Sequence, residues 1–216
     1  MNFFNLENRF FSGLRKIVDC VYLSLLWFLF SIPIITIGAS TTALYHTTNK
    51  NLIHSRGYVW QEFWDSFKSN FRQSTIMWII FLIFYGLSIF NFIAFRQISP
   101  SDGIGMDIVI FIIMIALITN LAIYYFPCIA RFENTIWGTL KNSLMIAYAN
   151  LPQTFLLLLL LAVSIALMVF LFPLVAFIPA LYMLFANQII EKIFRKYASP
   201  EEYALEDELN KLDEDL

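Results

Sequence analysis

Charge is what this sequence has least of. Only 14% of its 216 residues are Asp, Glu, Lys or Arg, while 59% are hydrophobic and 18% aromatic. A soluble domain carries about 25% charged residues, so this chain has too few to wet its own surface. That excludes an ordinary water-soluble globule and makes a lipid bilayer the expected partner. The net charge of -2 argues against nucleic acid. Cysteine is scarce too. Cys20 and Cys128 both fall inside apolar runs, which reads as buried thiols rather than a disulfide framework. His46 and His54 lie in a polar connector with no further ligands at metal spacing. Seven glycines are too few for the loops of a nucleotide fold. G-x-x-x-x-G-K-[ST], H-E-x-x-H, G-x-S-x-G and C-x-x-C are all missing. No cofactor and no enzymatic activity are therefore expected.

What is present is long apolar runs. A membrane-crossing helix needs about 20 mostly apolar residues. Ile17–Ile37, Thr75–Phe95 and Ile108–Ala130 each qualify. Phe155–Ile190 is a further run of 36 residues without a charge. As one helix it would measure ~54 Å against ~30 Å of hydrocarbon. Pro173 lies near its midpoint and can break it, so two spans are expected, 155–171 and 174–190; a single kinked helix is the alternative. The fold class expected is all-α and polytopic, with about five spans in one domain over residues 1–190. Lys and Arg distribute ten to four in favour of an N-terminus outside and a cytoplasmic C-terminus, although Arg15 and Lys16 before the first span oppose this. The first span ends in no convincing cleavage site, since bulky Ile37 would occupy a small-residue position. It reads as an uncleaved anchor.

The connectors carry helical patterns of their own. Trp60, Phe63, Trp64, Phe67 and Phe71 share one helical face, with Glu62, Asp65, Lys68, Ser69 and Arg72 opposite. Such a face suits either the headgroup boundary or packing beneath the bundle. Between residues 131 and 152, Phe132, Ile136, Leu140 and Leu144 form a second stripe, which predicts an amphipathic helix on the cytoplasmic side. The two connectors also begin and end alike. Pro33 and Pro127 each precede an exit from an apolar run, and Asn70 and Gln73 match Asn150 and Gln153, the latter pair flanking Pro152. This predicts a duplicated unit of span, amphipathic helix and span, as in many transport proteins. After Ile190, Lys192, Arg195 and Lys196 form a basic stop. From Ser199 an acidic tail follows, with an S-x-x-E helix start and leucines at helical spacing.

Polar groups inside membranes are costly and often functional. Asn91 and Asn120 read as interhelical hydrogen-bonding groups, Asp19 as a boundary residue, and Arg131 with Glu133 as a helix-end anchor. No deep carboxylate of the kind a proton-coupled carrier uses is found. At "IPIITIGASTTA", Pro33 is expected to unwind the end of the first span. Gly38 would supply the left-handed exit, and Ser40 or Thr41 would cap the next helix.

The segment "LWFLFSIPIITIGASTTALYHTTNK", with "EFWDSFKSNFRQST", "YYFPCIARFENT" and "LKNSLMIAYANLPQT", resembles the YesL-like family of bacterial membrane proteins, which carry the domain of unknown function 624. The similarity covers roughly residues 20–190, and P-I-I-T-I-G-A-S-T-T-A-L is its most specific part. The resemblance implies a polytopic protein of the cytoplasmic membrane in Gram-positive bacteria, encoded beside carbohydrate ABC importers, and supplies no catalytic residues. Glu133, Gly138, Leu151 and Pro152 are also laid out like the ATPase-docking helix of ABC permease subunits, with a different glycine spacing. The function expected is that of an accessory to oligosaccharide uptake, in contact with an importer's permease or ATPase. A self-contained carrier or channel, with homo-oligomers, is the alternative. Pro33, Gly38, Ser40, Thr41, Trp60, Phe63, Phe67, Asn70, Pro127, Arg131, Asn150 and Pro152 are the candidate corner and contact positions.

Overall fold

The computed structural model describes residues 3–98, 105–132, 135–171 and 175–197, with side chains for all of these except 3–12 and 98. Pro173, Glu133 and the acidic tail from Ser199 lie outside the described residues. Every regular element within them is helical: α1 (Phe3–Ser31), α2 (Ile37–Thr47), α3 (Val59–Ile98), α4 (Met106–Arg131), α5 (Ile136–Ala149), α6 (Leu151–Phe170) and α7 (Ile178–Phe194). The all-α expectation holds.

Three of these helices are long and apolar enough to cross a membrane: Val59–Gln97 of α3, α4 and α6. They are barely buried by the protein itself. Only 6% of the most apolar stretch of α4 is covered, and 17% in α3 and α6. Helices that are apolar all round yet uncovered need a non-aqueous surrounding, which identifies a multi-pass membrane protein. The two other anticipated spans fall short on this criterion. α7 has 17 residues, and α1 carries Arg15, Lys16 and Asp19 along its apolar stretch.

The expected first span, 17–37, is not one helix. α1 stops at Ser31, and Ile34–Thr36 forms a 3-10 turn before α2 begins. Pro33 has no N–H to give and drives Ile32 away from helical geometry. Thr36 Oγ1 repairs the break, lying 2.5 Å from Phe30 O and 2.7 Å from Pro33 O. Pro127, by contrast, sits inside an unbroken α4, so the two prolines do not play matching parts. Neither do the connectors match. The aromatic stretch from Trp60 runs without interruption into α3, a helix of 40 residues and therefore ~60 Å long. Its expected counterpart breaks at Asn150, between α5 and α6. The long run from Phe155 does divide, into α6 and α7, each with proline in its first turn.

α2 is the hub. Gly38, Ala39, Ser40, Thr42, Ala43, Leu44, Tyr45 and Thr47 are all buried, and small residues of this kind let helices approach closely. α2 runs antiparallel along the first half of α3. Gly38 abuts Ser74 and Trp78, Thr42 Oγ1 lies 2.9 Å from Ser74 Oγ, and His46 reaches Glu62. α7 closes the other side. Ser24 Oγ of α1 accepts from Ala180 N at 3.1 Å, and Asn187 Nδ2 donates to Tyr45 O.

The corner therefore works differently from the sequence expectation. Gly38 does not end α1 with a left-handed residue; it lies within α2. A Cβ there would stand 2.7 Å from Trp78 Cβ, 2.8 Å from Ser74 O and 2.9 Å from Phe126 Cε1. Ser40 and Thr41 are not caps either. Ser40 Oγ donates back to Thr36 O, and Thr41 Oγ1 accepts from Trp27 Nε1. The aromatic face of α3 packs beneath α1: Phe30 meets Phe63, Trp64 and Phe67 at centroid distances of 5.5, 5.5 and 5.0 Å. Trp60 and Phe71, at its ends, stay exposed. In α5 the buried side is Thr139, Ser143, Ile146 and Ala147, one step round from the predicted apolar stripe, of which Leu144 is exposed.

Candidate functional site

One end of the bundle gathers His46, Lys50, Glu62, Arg131 and Glu191, while Arg96 and Asp107 pair at 2.7 Å between the last turn of α3 and the first turn of α4. α2 continues into a π-helical turn, Thr48–Ile53, a local widening that frequently marks functional sites. The chain then reverses through Ser55 (φ 56) and Gly57 (φ 70). Asn51 Nδ2 pins this reversal by donating to Gly57 O at 2.9 Å. Glu62, in the first turn of α3, folds back over Gly57 so closely that a Cβ there would meet its Oε1 at 2.5 Å. The left-handed backbone favours glycine at 57, and a Cβ there would push the Glu62 side chain out of its place.

Two carboxylates organise the site. Glu62 Oε2 lies 2.8 Å from Lys50 Nζ and 3.4 Å from His46 Nε2. Glu191, from α7, accepts from Tyr45 Oη at 2.7 Å and Asn49 Nδ2 at 3.0 Å, and its other oxygen lies 3.9 Å from Arg131 of α4. Five separate segments thus meet through charge-assisted bonds, which are stronger than neutral ones. Burial, with Glu191 beside it, pushes the Tyr45 phenol well above its ordinary range, so it stays a donor. Burial pulls His46 below its usual value; Glu62 opposes this, while Lys50 and Arg131 reinforce it. At neutral pH its imidazole is uncharged. Among the described residues no three His, Cys, Asp or Glu side chains converge on a metal position.

Beside this network opens a cleft of about 920 Å³, lined by His46, Lys50, Glu62, Asp65, Asn70, Gln73 and Arg131 among others. Its far wall includes Thr135, whose Oγ1 caps α5 by accepting from Gly138 N. Gln73 Nε2 bridges α3 to α5 through Thr139 Oγ1 at 3.2 Å. Such a cleft can bind a polar segment or solute. Deeper in the bundle the character changes. A cavity of about 190 Å³ is lined mainly by apolar groups, Pro127 and Met183 among them, with Tyr85 and Thr119 bonded to each other.

Of the positions singled out from sequence, Asn70 and Arg131 come together at the cleft. Phe63 and Phe67 lie in the core under α1, and Trp60 sits at its edge. Pro33, Gly38, Ser40 and Thr41 belong to the break and the hub helix. Asn150 and Pro152 form the α5–α6 joint, where Asn150 Nδ2 donates to Ile146 O and Tyr197 Oη. Sequence reasoning missed His46, Lys50, Glu62, Tyr45 and Glu191 as one group. The available signals were the i,i+4 spacing of His46 and Lys50 and a lone acid, Glu191, closing an apolar run. Cys20 and Cys128 are both buried free thiols.

No curated protein and no solved structure is significantly similar to this chain. The similarity read from sequence over residues 20–190 is matched over about a third of the chain, from α1 through α2 into α3. The helix that organises the bundle, and Lys50 and Glu62 of its charged end, lie in the stretch that matches a known family: residues 20–92 are similar to the family described as Protein of unknown function, DUF624.

Proposed function

We propose that this protein is a non-enzymatic accessory subunit of a carbohydrate ABC-type importer in the bacterial cytoplasmic membrane. In this reading it docks on the permease or the ATPase through its charged end. The observation that carries the reading is the contrast between the two parts of the interior. The charged end holds a wide open cleft with both signs of charge, suited to a protein segment. The cavity deeper in the bundle is small and mainly apolar, which does not favour the alternative of a self-contained carrier. Mild-detergent affinity purification from a native membrane tests it. Co-purification of importer subunits, weakened by reversing charge at Asp65, is the expected result. Recovery of none, under conditions that keep the importer itself intact, would overturn it.

The same reading takes α1 and α7 as additional crossings, giving five, with the charged end facing the cytoplasm. Exposed Leu25 and Leu29 on α1 and Leu181 and Phe185 on α7 support a lipid-facing surface for both. Reporter fusions after residues 57 and 134 should both report the cytoplasm, and one after residue 101 the exterior. The reverse pattern would refute the orientation.

A further inference from the structure

Beside α5, two of the candidate spans leave a groove of about 470 Å³, within the roughly 300–1,000 Å³ of ligand sites. Its wall is built twice in the same way. Residues 77–84 of α3 and 114–121 of α4 each contribute at i, i+3, i+4 and i+7, one helical stripe apiece. Each stripe is ~10 Å tall. The base is preformed. Met77 and Phe81 are buried, and the Phe81 ring meets Tyr125 and Phe126 edge-on at centroid distances of 5.9 and 6.0 Å. At the rim, Phe84, Met114 and Leu117 are exposed. The groove is therefore continuous with the uncovered apolar surface of α3 and α4.

α5 forms the opposite side, with its amphipathicity reversed from that of a helix in water. Thr139, Ser143 and Ala147, each four apart, turn inward, and Thr139 Oγ1 accepts from Gln73 Nε2. Trp137, Lys141, Leu144 and Tyr148, at i, i+4, i+7 and i+11, share an exposed face. Of these, Trp137, Leu144 and Tyr148 line the groove. Trp and Tyr favour the membrane–water boundary. A lysine among them can lay its stem on apolar groups and hold its ammonium at the headgroups, where it complements a phosphate.

Side-chain size separates the possible occupants. Where this protein packs helix on helix closely it uses small residues, as Gly38, Ala39, Ser40 and Ala43 of α2 do. The described residues lining the groove are all Met, Ile, Leu, Phe, Trp or Tyr. That surface suits a flexible hydrocarbon chain better than a second helix. A water-borne partner does not reach the apolar stretches of α3 and α4.

We propose that this groove is a binding site for one phospholipid: an acyl chain lies along the α3 and α4 stripes, and Lys141 meets the phosphate. The inference does not depend on docking to an importer, because it concerns the purified chain alone.

The test uses the full chain, purified in a neutral detergent. Phosphatidylglycerol with a brominated acyl chain is titrated in while tryptophan quenching is followed, and native mass spectrometry counts the lipids retained. One lipid per chain is expected, with a saturable component of quenching that Trp137→Phe removes. Lys141→Gln should weaken binding about fivefold, the worth of one basic residue toward an anionic lipid, and Lys141→Arg should keep most of it. Leu117→Trp fills the groove from an exposed position and should abolish retention. Leu159→Trp, on an equally exposed site of α6, should not. Failure to retain lipid would overturn the proposal. So would quenching that never saturates and is unchanged in Trp137→Phe, or equal retention in the two tryptophan-adding variants, since both describe bulk lipid alone. Efficient cross-linking of Leu117→Cys between copies, matched by a dimer in the mass spectrum, would overturn it in favour of a second copy of this chain.

Discussion

Replacing Gly38 by alanine tests the hub directly. The added methyl would stand 2.7 Å from Trp78 Cβ, 2.8 Å from Ser74 O and 2.9 Å from Phe126 Cε1. Carbon contacts are comfortable at about 3.5–4.0 Å, so α2 and α3 must part by roughly 1 Å. Two of the three opposing atoms belong to the backbone or Cβ of α3 and cannot swing aside. Overpacking of this kind costs about 1–3 kcal/mol, and rigid partners put Gly38→Ala at the upper end. Alanine's better helix propensity returns about 1 kcal/mol. The net is a loss of about 2 kcal/mol, or about 4–8 °C in melting temperature for a chain of this size. The separation also stretches the Thr42–Ser74 hydrogen bond, now 2.9 Å. Intrinsic fluorescence during a thermal ramp of the detergent-purified protein measures the shift. Gly86→Ala is the internal control. It also lies inside a helix, α3, but a Cβ there meets nothing within 4 Å, so propensity alone should raise stability by up to about 1 kcal/mol. A Gly38→Ala protein that melts at or above the parent would refute close approach as the reason for glycine.

Three further outcomes follow from the packing and the charged end. Tyr45→Phe removes the donor 2.7 Å from Glu191 and should destabilise by about 1.5–3 kcal/mol; in a double-mutant cycle with Glu191→Gln the losses should not add, and strict additivity would show that the bond is idle. Phe30→Ala empties the ring that four α3 aromatics touch and should cost about 2 kcal/mol, less than the ~3–5 of a fully buried phenylalanine; an unchanged melting curve would refute the role given to this cluster. Because His46 is held below its ordinary value, the unfolded chain takes up this proton first as pH falls. Its contribution is therefore complete above about pH 6.5 and is lost as pH drops toward the lower folded value. His46→Gln should flatten the melting temperature between about pH 7 and 5, and an identical pH profile in the variant would sink the assignment.

The sequence made the helices and their apolar character readable because both depend on local pattern. The face from Trp60 to Phe71 and the division of the run after Phe155 are of this kind. Gly38 shows where locality fails. A glycine after an apolar run and before hydroxyl residues has the pattern of a helix C-terminus. What decides its role is the approach of Ser74, Trp78 and Phe126, none of them near it in the chain. α5 misled for a different reason. In water the apolar stripe of a helix turns inward, but where lipid or a lipid-facing groove accepts apolar side chains, the small polar face can be the buried one. Thr139 and Ser143 went in and Leu144 stayed out. The charged end was least legible, because its members are spread over α2, the π turn, α3, α4 and α7. Tyr45 and Glu191 are 146 residues apart, and no spacing rule reaches that far.

That separation has a consequence for synthesis. The hub helix is among the first elements to leave the ribosome, but two of its tethers, Tyr45 Oη on Glu191 and Tyr45 O on Asn187, wait for α7, as does Asn49 of the π-helical turn on Glu191, with sequence gaps of 142–146 residues. Ser24 waits still longer, 156 residues, for Ala180. Until α7 arrives, a helix rich in small residues has no close neighbour on that side, and the carboxylate partner of Tyr45 does not yet exist. A nascent chain stalled before α7 would present this unsatisfied surface to the membrane's quality-control proteases. Completion of the protein and concealment of its hub helix would then be a single event.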